Sequence, residues 1–246
     1  MWEIFQKKRF LVDYLENFVD IHNHILPGID DGAKTVEDSL TLVKGMGELG
    51  IKRFVATPHI MHNYYPNTPE TINIALTELQ DALLENHITD VAISAAAEHM
   101  IDDNFENLLE EDGIMPLGKD YLLVEMSFLQ ASINLNSAIE KTTHSGYFPI
   151  LAHPERYLYY RNKHEIFRSL KKKGTKLQLN LLSLGEYYGA ETHNNAKELL
   201  EDKLIDFAAS DLHHTGHLKE LKKVQITEKT LDMLFPVLEN TIAQFY

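Results

Sequence analysis

The sequence predicts an α/β fold in which parallel strands alternate with helices. Seven short apolar segments recur along the chain, and helical or polar stretches separate them. Their nearly continuous apolar character is typical of parallel strands with both faces buried, and the alternation predicts βαβ units. The chain shows no obvious second domain. A distorted (β/α)7 barrel similar to the TIM barrel is therefore the simplest arrangement, and an open doubly wound sheet is the alternative.

The predicted strands are bounded by turn residues or by charged side chains. They comprise residues 18–21, 53–57, 91–97, 121–124, 148–152, 176–182 and 205–210. Periodicity predicts helices at residues 35–49, 68–86, 102–112, 136–145, 163–173, 191–202 and 227–244. Gly50 and Gly174 follow two of these helices, where glycine commonly ends a helix, and Pro236 predicts a kink early in the last one.

Residues 1–17 precede the first predicted strand and form an N-terminal extension to a barrel of residues 18–246. Five apolar positions in the extension are compatible with a short amphipathic helix: Phe5, Phe10, Leu11, Tyr14 and Leu15. We expect this segment to plug or flank the core, and docking of a partner is the alternative role.

The composition excludes several classes of protein. The chain has 246 residues, no cysteine, 13 histidines and a formal net charge of −14. Without cysteine there are no disulfides, zinc–thiolate sites or thiolate-based phosphatases. The acidic balance argues against a nucleic-acid partner. No apolar run is long enough to span a membrane, and the N-terminus is charged where a signal peptide is apolar. We expect a cytoplasmic protein without stable membrane insertion.

Side chains able to bind metal ions follow or end six of the seven predicted strands. His22 and His24 project to the same side of the first strand, and the turn after them brings Asp31 within reach. The carboxyl ends of parallel barrel strands meet at one face, where active sites lie. The candidate ligands are His22, His24, Asp31, His59, Glu98, Glu125, His153, Asp211 and His213.

Imidazole and carboxylate donors without sulfur suit Zn²⁺, Mn²⁺ or Fe²⁺. These residues are too many for one ion, so we expect two or three ions, bridged by a carboxylate such as Glu98. Such ions would outweigh the carboxylates locally and attract an anionic phosphate. They would also convert a bound water into a hydroxide that attacks phosphorus.

Other polar residues near this face of the predicted barrel could assist the chemistry. Arg156 follows His153 by three residues and could clamp phosphate oxygens with its planar fork, or form a salt bridge to Glu155 or a neighbour. One further histidine could protonate the leaving oxygen, although a phenolate needs this help less than an alkoxide. The sequence offers four candidates for this histidine, and their spacing does not distinguish them: His62, His99, His214 and His217.

Six motifs follow one another along residues 18–213: Asp20–Gly32, Ala56–His59, Ala97–Glu98, Leu123–Glu125, Ile150–Arg156 and Ala209–His213. Together they resemble the motifs of the polymerase-and-histidinol-phosphatase (PHP) superfamily. Within it, the chain is most similar to the bacterial manganese-dependent tyrosine-protein phosphatases of capsule and exopolysaccharide systems. The His-Ile-Leu-Pro and Asp-Asp-Gly of the first motif and the His-Pro-Glu-Arg of the fifth are specific to that branch.

The resemblance implies a distorted barrel of PHP type with a trinuclear, manganese-dependent centre. The family's ligands fall on the nine candidate residues given above, and its phosphate-binding arginine falls on Arg156. The implied substrate is the phosphorylated, tyrosine-rich tail of a membrane-bound polysaccharide autokinase. Two segments differ from relatives: residues 214–217 contain no arginine, and residues 60–65 are neutral.

Two alternative functions stay open at this point. One is a small-molecule phosphatase of the same superfamily, acting for example on histidinol phosphate. The other is a metal-binding interaction module that no longer turns over substrate, although the complete ligand set speaks against it. A nuclease is disfavoured by the acidic composition.

Overall fold

The computed structural model describes residues 7–111 and 113–246. Within them the strands are β1 (Lys8–Phe10), β2 (Val19–Asp20), β3 (Arg53–Ala56), β4 (His59–Ile60), β5 (Ala92–Ala95), β6 (Glu98–Met100), β7 (Tyr121–Glu125), β8 (Phe148–Ala152), β9 (Lys176–Asn180), β10 (Phe207–Ala209) and β11 (Gln225–Thr227). The α-helices are α1 (Val36–Gly47), α2 (Pro69–Glu85), α3 (Phe105–Glu110), α4 (Leu135–His144), α5 (His164–Lys172), α6 (Ala190–Glu201), α7 (Thr215–Leu221) and α8 (Glu228–Phe245). Short 3-10 helices fill several connections.

The sheets confirm an α/β fold built from parallel strands. Six strands pair in the order β10-β9-β8-β7-β6-β4, and three pair in the order β2-β3-β5, all in parallel. Helices connect most successive strands, as parallel pairing requires. The antiparallel pair β1-β11 lies apart from both sheets.

Two predicted strands are each followed closely by a second short strand that pairs in the other parallel sheet. The segment predicted as residues 53–57 forms β3 in the smaller sheet, and β4 then begins in the larger one. Pro58 separates them, since proline cannot donate a ladder hydrogen bond. The segment predicted as residues 91–97 contains β5 of the smaller sheet. The buried Ala96 and Ala97 then connect β5 to β6 of the larger sheet. Both breaks place a side chain of the site, His59 or Glu98, at the start of the second piece.

The prediction of an amphipathic helix near the N-terminus is wrong for residues 7–17. Phe5, which belonged to the same prediction, lies outside the described residues. The chain there forms β1 and a 3-10 helix (Leu11–Tyr14). Pairing with β11 explains the difference, because the backbone is extended by a distant segment that local periodicity does not reveal. Leu11 and Leu15 are fully buried, so the segment packs against the core.

The remaining elements differ from the predictions mainly at their ends. The acidic helix is shorter than predicted, as α3, and α7 and β11 had no predicted counterpart. Thr35 and Thr68 are the N-cap residues of α1 and α2. Each forms a capping box, in which it exchanges hydrogen bonds with the residue three positions later. Pro236 lies inside α8, as the sequence predicted. No helix of the described segments has the length and apolar character needed to cross a bilayer.

A small apolar cluster lies among the strands, beneath the polar ends of the larger sheet. It includes Leu123, two residues before Glu125 on the same side of β7. Its buried members are Val19, Ile21, Ala96, Leu117, Leu123, Ile150, Ala152, Phe207 and Ala209. A larger apolar cluster packs the helices against the sheets. The strands are thus fixed at their centres, and their carboxyl ends hold the polar residues.

Candidate metal centre

The structure brings all nine predicted side chains together at the edge where β2, β3, β5, β7, β8 and β10 end, and there His59 and Glu98 are the first residues of β4 and β6. They form four overlapping groups whose nitrogen and oxygen atoms lie within 4.8 Å of one another inside each group. The groups are His24, Asp31, His59 and His213; His22, His24 and Asp211; His22, Glu98 and His153; and His59, Glu98 and Glu125. We refer to these nine residues as the cluster.

Glu98 joins two of the groups. Its Oε2 atom lies 3.2 Å from His22 Nε2 and 3.1 Å from His59 Nδ1, while its Oε1 atom lies 3.0 Å from His153 Nε2. Glu125 Oε1 lies 2.9 Å from the same His59 nitrogen. One buried carboxylate among three imidazoles is the arrangement expected of a ligand that bridges two ions.

Several atoms of the cluster lack the partners that buried polar atoms normally have. His59 Nδ1, Glu98 Oε2 and Glu125 Oε1 are buried and make no aligned hydrogen bond among the described residues. The Nε2 atoms of His22 and His24 face each other at 3.3 Å, and Asp211 Oδ1 lies 3.4 Å from each. Nitrogen and oxygen atoms that converge this closely, several of them without an aligned hydrogen bond, fit divalent cations between them.

Two imidazole nitrogens that point away from the cluster are held by residues outside it. His24 Nδ1 lies 2.7 Å from Asp30 Oδ2, and His22 Nδ1 lies 2.8 Å from Gln178 Oε1. Asp30 also accepts hydrogen bonds from the backbone N–H groups of Gly32 and His59, at 2.8 and 3.1 Å. Such contacts orient metal-binding imidazoles and set their tautomers.

Sequence reasoning assigned no role to Asp30 or Gln178. Asp30 sits beside Asp31, and only the fold shows which of the two turns inward toward His24. Gln178 is a fully buried polar residue between Leu177 and Leu179 in β9. A polar residue inside an apolar strand was the available signal for it.

Asp31 and His213 form the outer edge of the cluster. Asp31 Oδ1 lies 3.3 Å from His59 Nε2 and 3.5 Å from His213 Nε2. The His213 ring stacks on His24 with 3.9 Å between centroids. Asp31 is exposed whereas most of the cluster is buried, so this edge is the side from which solvent reaches the site.

Arg156 lies at the same edge in a fixed orientation. Its Nη1 atom donates to Asp211 Oδ2 at 2.8 Å, and its guanidinium lies 4.1 Å from the Phe128 ring centroid and 4.3 Å from that of Tyr188. The neighbouring Glu155 turns away and accepts a hydrogen bond from Ser183 Oγ at 2.7 Å. The ion pair of Arg156 is therefore with Asp211 and not with Glu155.

The electrostatics of the cluster match a site built for cations. Burial opposes charging of His24 and His59, yet Asp30 beside His24, and Glu125 and Glu98 beside His59, hold both pKa values well above the ordinary range. Burial likewise opposes ionisation of Glu98, but His22 and His59 hold its pKa well below the usual value. Protons take the place of cations here, so metal binding must release them.

The four additional histidines occupy different environments. His99 is buried away from the cluster, with its Nδ1 atom 3.0 Å from Leu123 O. His62 is exposed. His214 and His217 line a cavity of about 730 Å³ at the exposed edge of the cluster, which we call the mouth cavity. Its other lining residues are Asp31, His59, Glu125, Phe128, His153, Arg156, Tyr187, Tyr188 and His213.

A parallel α/β fold with imidazoles and carboxylates at its strand ends defines a protein with a candidate polynuclear metal centre. The profile of the capsular polysaccharide synthesis family CpsB/CapC matches residues 18–231, and the chain belongs to that family. The resemblance to the capsule-system tyrosine-protein phosphatases is thereby confirmed.

Two named relatives are similar in sequence to this chain over most of their own length. Tyrosine-protein phosphatase YwqE of Bacillus subtilis is 29% identical over 221 residues, which cover 89% of this chain and 87% of that protein. Tyrosine-protein phosphatase CpsB of Streptococcus pneumoniae is 29% identical over 203 residues, covering 80% and 83%.

Solved structures show the same fold. A chain from the crystal structures of YwqE and CpsB, described as unique metal-dependent tyrosine phosphatases, matches with a TM-score of 0.79 and 29% identity over 91% of this chain and 92% of that one. Histidinol phosphate phosphatase of Lactococcus lactis matches with a TM-score of 0.53 at 14% identity over 85% and 92%, a likeness that shows the fold alone.

Proposed function

We propose that this protein is a metal-dependent protein-tyrosine phosphatase of capsule polysaccharide synthesis. The observation that carries the proposal is the convergence of nine donor side chains from six parallel strands on one edge, with Glu98 shared between two groups. Relatives named as tyrosine-protein phosphatases cover most of the chain and support the same activity.

The cluster would bind two or three divalent ions, with Mn²⁺ as the proposed metal and Zn²⁺ or Fe²⁺ as ions suited to the same donors. When bound, the ions would supply a water-derived nucleophile near neutral pH and stabilise charge on the phosphate oxygens. The chain's own part is to hold the donors. Asp30 and Gln178 orient His24 and His22, and Glu98 spans the two innermost groups.

Arg156 would bind the phosphate. Its guanidinium lies between Phe128 and Tyr188 in the lining of the mouth cavity, with one nitrogen already held by Asp211. A guanidinium fixed before substrate arrives loses little freedom on binding and can donate two parallel hydrogen bonds to phosphate oxygens. It is also the single Arg or Lys among the described residues that line this cavity.

The histidines of the mouth cavity favour an aryl phosphate over an alkyl phosphate. Burial and the neighbouring His213 lower the pKa of His217 to about 4, and the same two causes lower that of His214. Bound cations would lower both pKa values further, which disfavours the imidazolium form that a general acid needs at neutral pH. A phenolate, with a pKa of about 10, can leave without that proton far more readily than an alkoxide.

The finer features of the proposal follow from the resemblance described above. The substrate would be the phosphotyrosine-containing tail of a bacterial tyrosine autokinase, with no nucleic-acid partner and no stable membrane insertion, and the site of action would be the cytoplasm. The two parallel sheets would form a distorted (β/α)7 barrel of PHP type over residues 18–246, with residues 1–17 as an extension.

Steady-state kinetics of the Mn²⁺-loaded protein would test the function. We expect hydrolysis of phenyl phosphate and of a phosphotyrosine peptide, with a higher kcat/KM for the peptide than for histidinol phosphate. His22→Ala should lower every rate by about 100-fold or more, because it removes one donor of the innermost groups. His144→Ala, on the exposed end of α4, is the matched control. An unchanged rate in His22→Ala would refute the mechanism.

A further inference from the structure

An apolar groove runs from the mouth cavity across the surface of the protein. It encloses about 810 Å³ and shares Asp31, His59, Glu125 and Phe128 with the mouth cavity, so the two are continuous. Its far part lies between the loop after β4 and the loop between β7 and α4. We call this part the flanking groove, and define it by Met61, Tyr64, Met100, Phe128, Leu129 and Ile133.

The flanking groove exposes large apolar side chains beside a polar site. Leu129 is 92% exposed, Ile133 is 99% exposed and Tyr64 is 77% exposed. Single exposed apolar residues are ordinary, but several around one groove that continues into a candidate active site mark a binding surface. Nothing within the described residues covers them.

The loop that carries Leu129 and Ile133 is anchored at its base. The Met126 N–H group donates to Tyr157 Oη at 3.0 Å, and Tyr159 Oη donates to Ser127 O at 2.8 Å. The Leu129 N–H group also donates to Ser127 Oγ at 3.2 Å. Both tyrosines belong to the segment that follows Arg156, so the chain segment that carries the arginine also anchors the loop of the groove.

The charge of the flanking groove selects against acidic ligands. None of its described lining residues is Lys or Arg, whereas Asp102 and Asp103 lie on its rim. Asp102 accepts a hydrogen bond from the His62 N–H group at 2.9 Å, which fixes that carboxylate at the edge. An acidic side chain placed here would lose water and meet like charge, but an apolar one would only leave water.

We propose that the flanking groove binds the residues next to phosphotyrosine in a protein substrate, with a preference for apolar over acidic side chains. The inference rests on the proposed phosphatase activity and adds its sequence specificity. The occupant is a phosphotyrosine-bearing segment of another protein, since the groove opens directly onto the site where the phosphate would be bound.

Two phosphotyrosine peptides and one small ester would test this. The peptides differ only at the two residues on each side of phosphotyrosine, leucine in one and aspartate in the other, and phenyl phosphate is the reference. We expect the Mn²⁺-loaded protein to favour the leucine peptide by about tenfold in kcat/KM, mainly through KM. The double variant Leu129→Ser, Ile133→Ser should bring the leucine peptide close to the aspartate peptide when both are divided by the phenyl phosphate value.

The matched control is the double variant Ile74→Ser, Leu84→Ser, which replaces two exposed apolar residues of α2 outside the groove and should retain the preference. All the replaced side chains are largely exposed, so both variants should fold, as circular dichroism would verify.

Equal kcat/KM for the two peptides, or a preference that survives the groove variant, would overturn the proposal while leaving the phosphatase activity intact. A dimer in sedimentation that the groove variant dissociates would also overturn it, because a second copy would then cover the groove. Failure to hydrolyse phenyl phosphate as well as the peptides would remove the proposed function, and this inference with it.

Discussion

Arg156 shows how much of this site is set by contacts of single side chains. Two aromatic faces and one carboxylate hold its guanidinium, so the group is in place before a phosphate arrives. Its position three residues after His153 could be read from the sequence. Phe128 and Tyr188, which determine its orientation, could not, because they come from loops that only the fold brings together.

Replacing Arg156 by lysine should lower kcat/KM for phenyl phosphate by about 100-fold. A lysine keeps the charge but loses the flat surface that stacks on Phe128 and Tyr188 and the paired donors that match phosphate. Arg161→Lys is the control, since Arg161 pairs with Glu191 on the surface. Kinetics of the Mn²⁺-loaded variants would measure the effect, and a loss below threefold in Arg156→Lys would contradict the assigned role.

His99 illustrates a histidine whose role is structural. The Met115 N–H group donates to its Nε2 atom at 3.2 Å, so its proton must lie on Nδ1, which faces Leu123 O. A second proton would meet that N–H group, and burial lowers the pKa of the imidazole to about 4. The unfolded chain takes up this proton near pH 6.5, whereas the folded chain does not until about pH 4.

Stability from His99 is therefore present above pH 6.5 and is lost as the pH falls toward 4. We expect the metal-free protein to lose about 2 kcal/mol of unfolding free energy between pH 7 and pH 5 from this residue alone. Urea denaturation at both values would show a smaller loss in His99→Gln than in wild type. His144→Gln, at an exposed position, should behave as wild type. Parallel pH profiles for wild type and His99→Gln would refute this account.

At the scale of elements, the sequence was sufficient to predict that strands alternate with helices and at which edge of the sheet the polar residues meet. Apolar runs predicted β7 and β8 to within a residue, because strands buried on both faces carry a strong signal. The transfer from β3 to β4 and from β5 to β6 was missed, because a change of partner sheet leaves no trace in periodicity. The β1-β11 pairing was missed because the two segments are far apart along the chain and local periodicity does not reveal a distant partner.

The loop between β2 and α1 depends on a glycine that allows close approach. A Cβ atom at Gly32 would fall inside contact distance of the backbone oxygen and Cβ atom of His24. The Gly32 N–H group also donates to Asp30 Oδ1 at 2.8 Å. An added methyl group must therefore displace the loop that holds Asp30 and Asp31 beside the cluster.

We predict that Gly32→Ala weakens Mn²⁺ binding by about tenfold or more, because it moves the residues that orient and complete the cluster. Gly47→Ala is the matched control: its Cβ atom would meet nothing within 4 Å, and a helical alanine should stabilise α1 by about 0.5–1 kcal/mol. Calorimetric titration of both variants would measure the affinities. Equal affinity in Gly32→Ala and wild type would contradict the assigned role of the loop.

At the scale of the whole molecule, the cluster joins segments from both parallel sheets. Ser210 after β10 contacts Asp20 of β2, with its Oγ atom 2.6 Å from Asp20 Oδ2. The backbone N–H group of Asp211 donates to His22 O at 2.8 Å. Ligands from the first and last parallel strands therefore meet directly. Ions bound here would link residues separated by almost the full length of the chain.

Removal of metal should accordingly lower the stability of the entire protein. With free Mn²⁺ at about 100 times its dissociation constant, binding would contribute about 2.7 kcal/mol, and a chelator should lower Tm by about 5–10 °C. The effect should shrink as the pH falls, because cluster imidazoles such as His24 and His59, whose pKa values the neighbouring carboxylates raise, then bind protons more strongly in competition with the metal. Scanning calorimetry with and without chelator at two pH values would measure it. A Tm independent of chelator at neutral pH would contradict the prediction.

The central claim is that the nine cluster residues bind two or three divalent ions together. Anomalous diffraction from crystals soaked in Mn²⁺ tests it most directly. We expect two or three manganese peaks, each within coordination distance of cluster atoms, with Glu98 in contact with two of them. A map with no peak among these side chains, or with manganese bound only elsewhere on the protein, would contradict it.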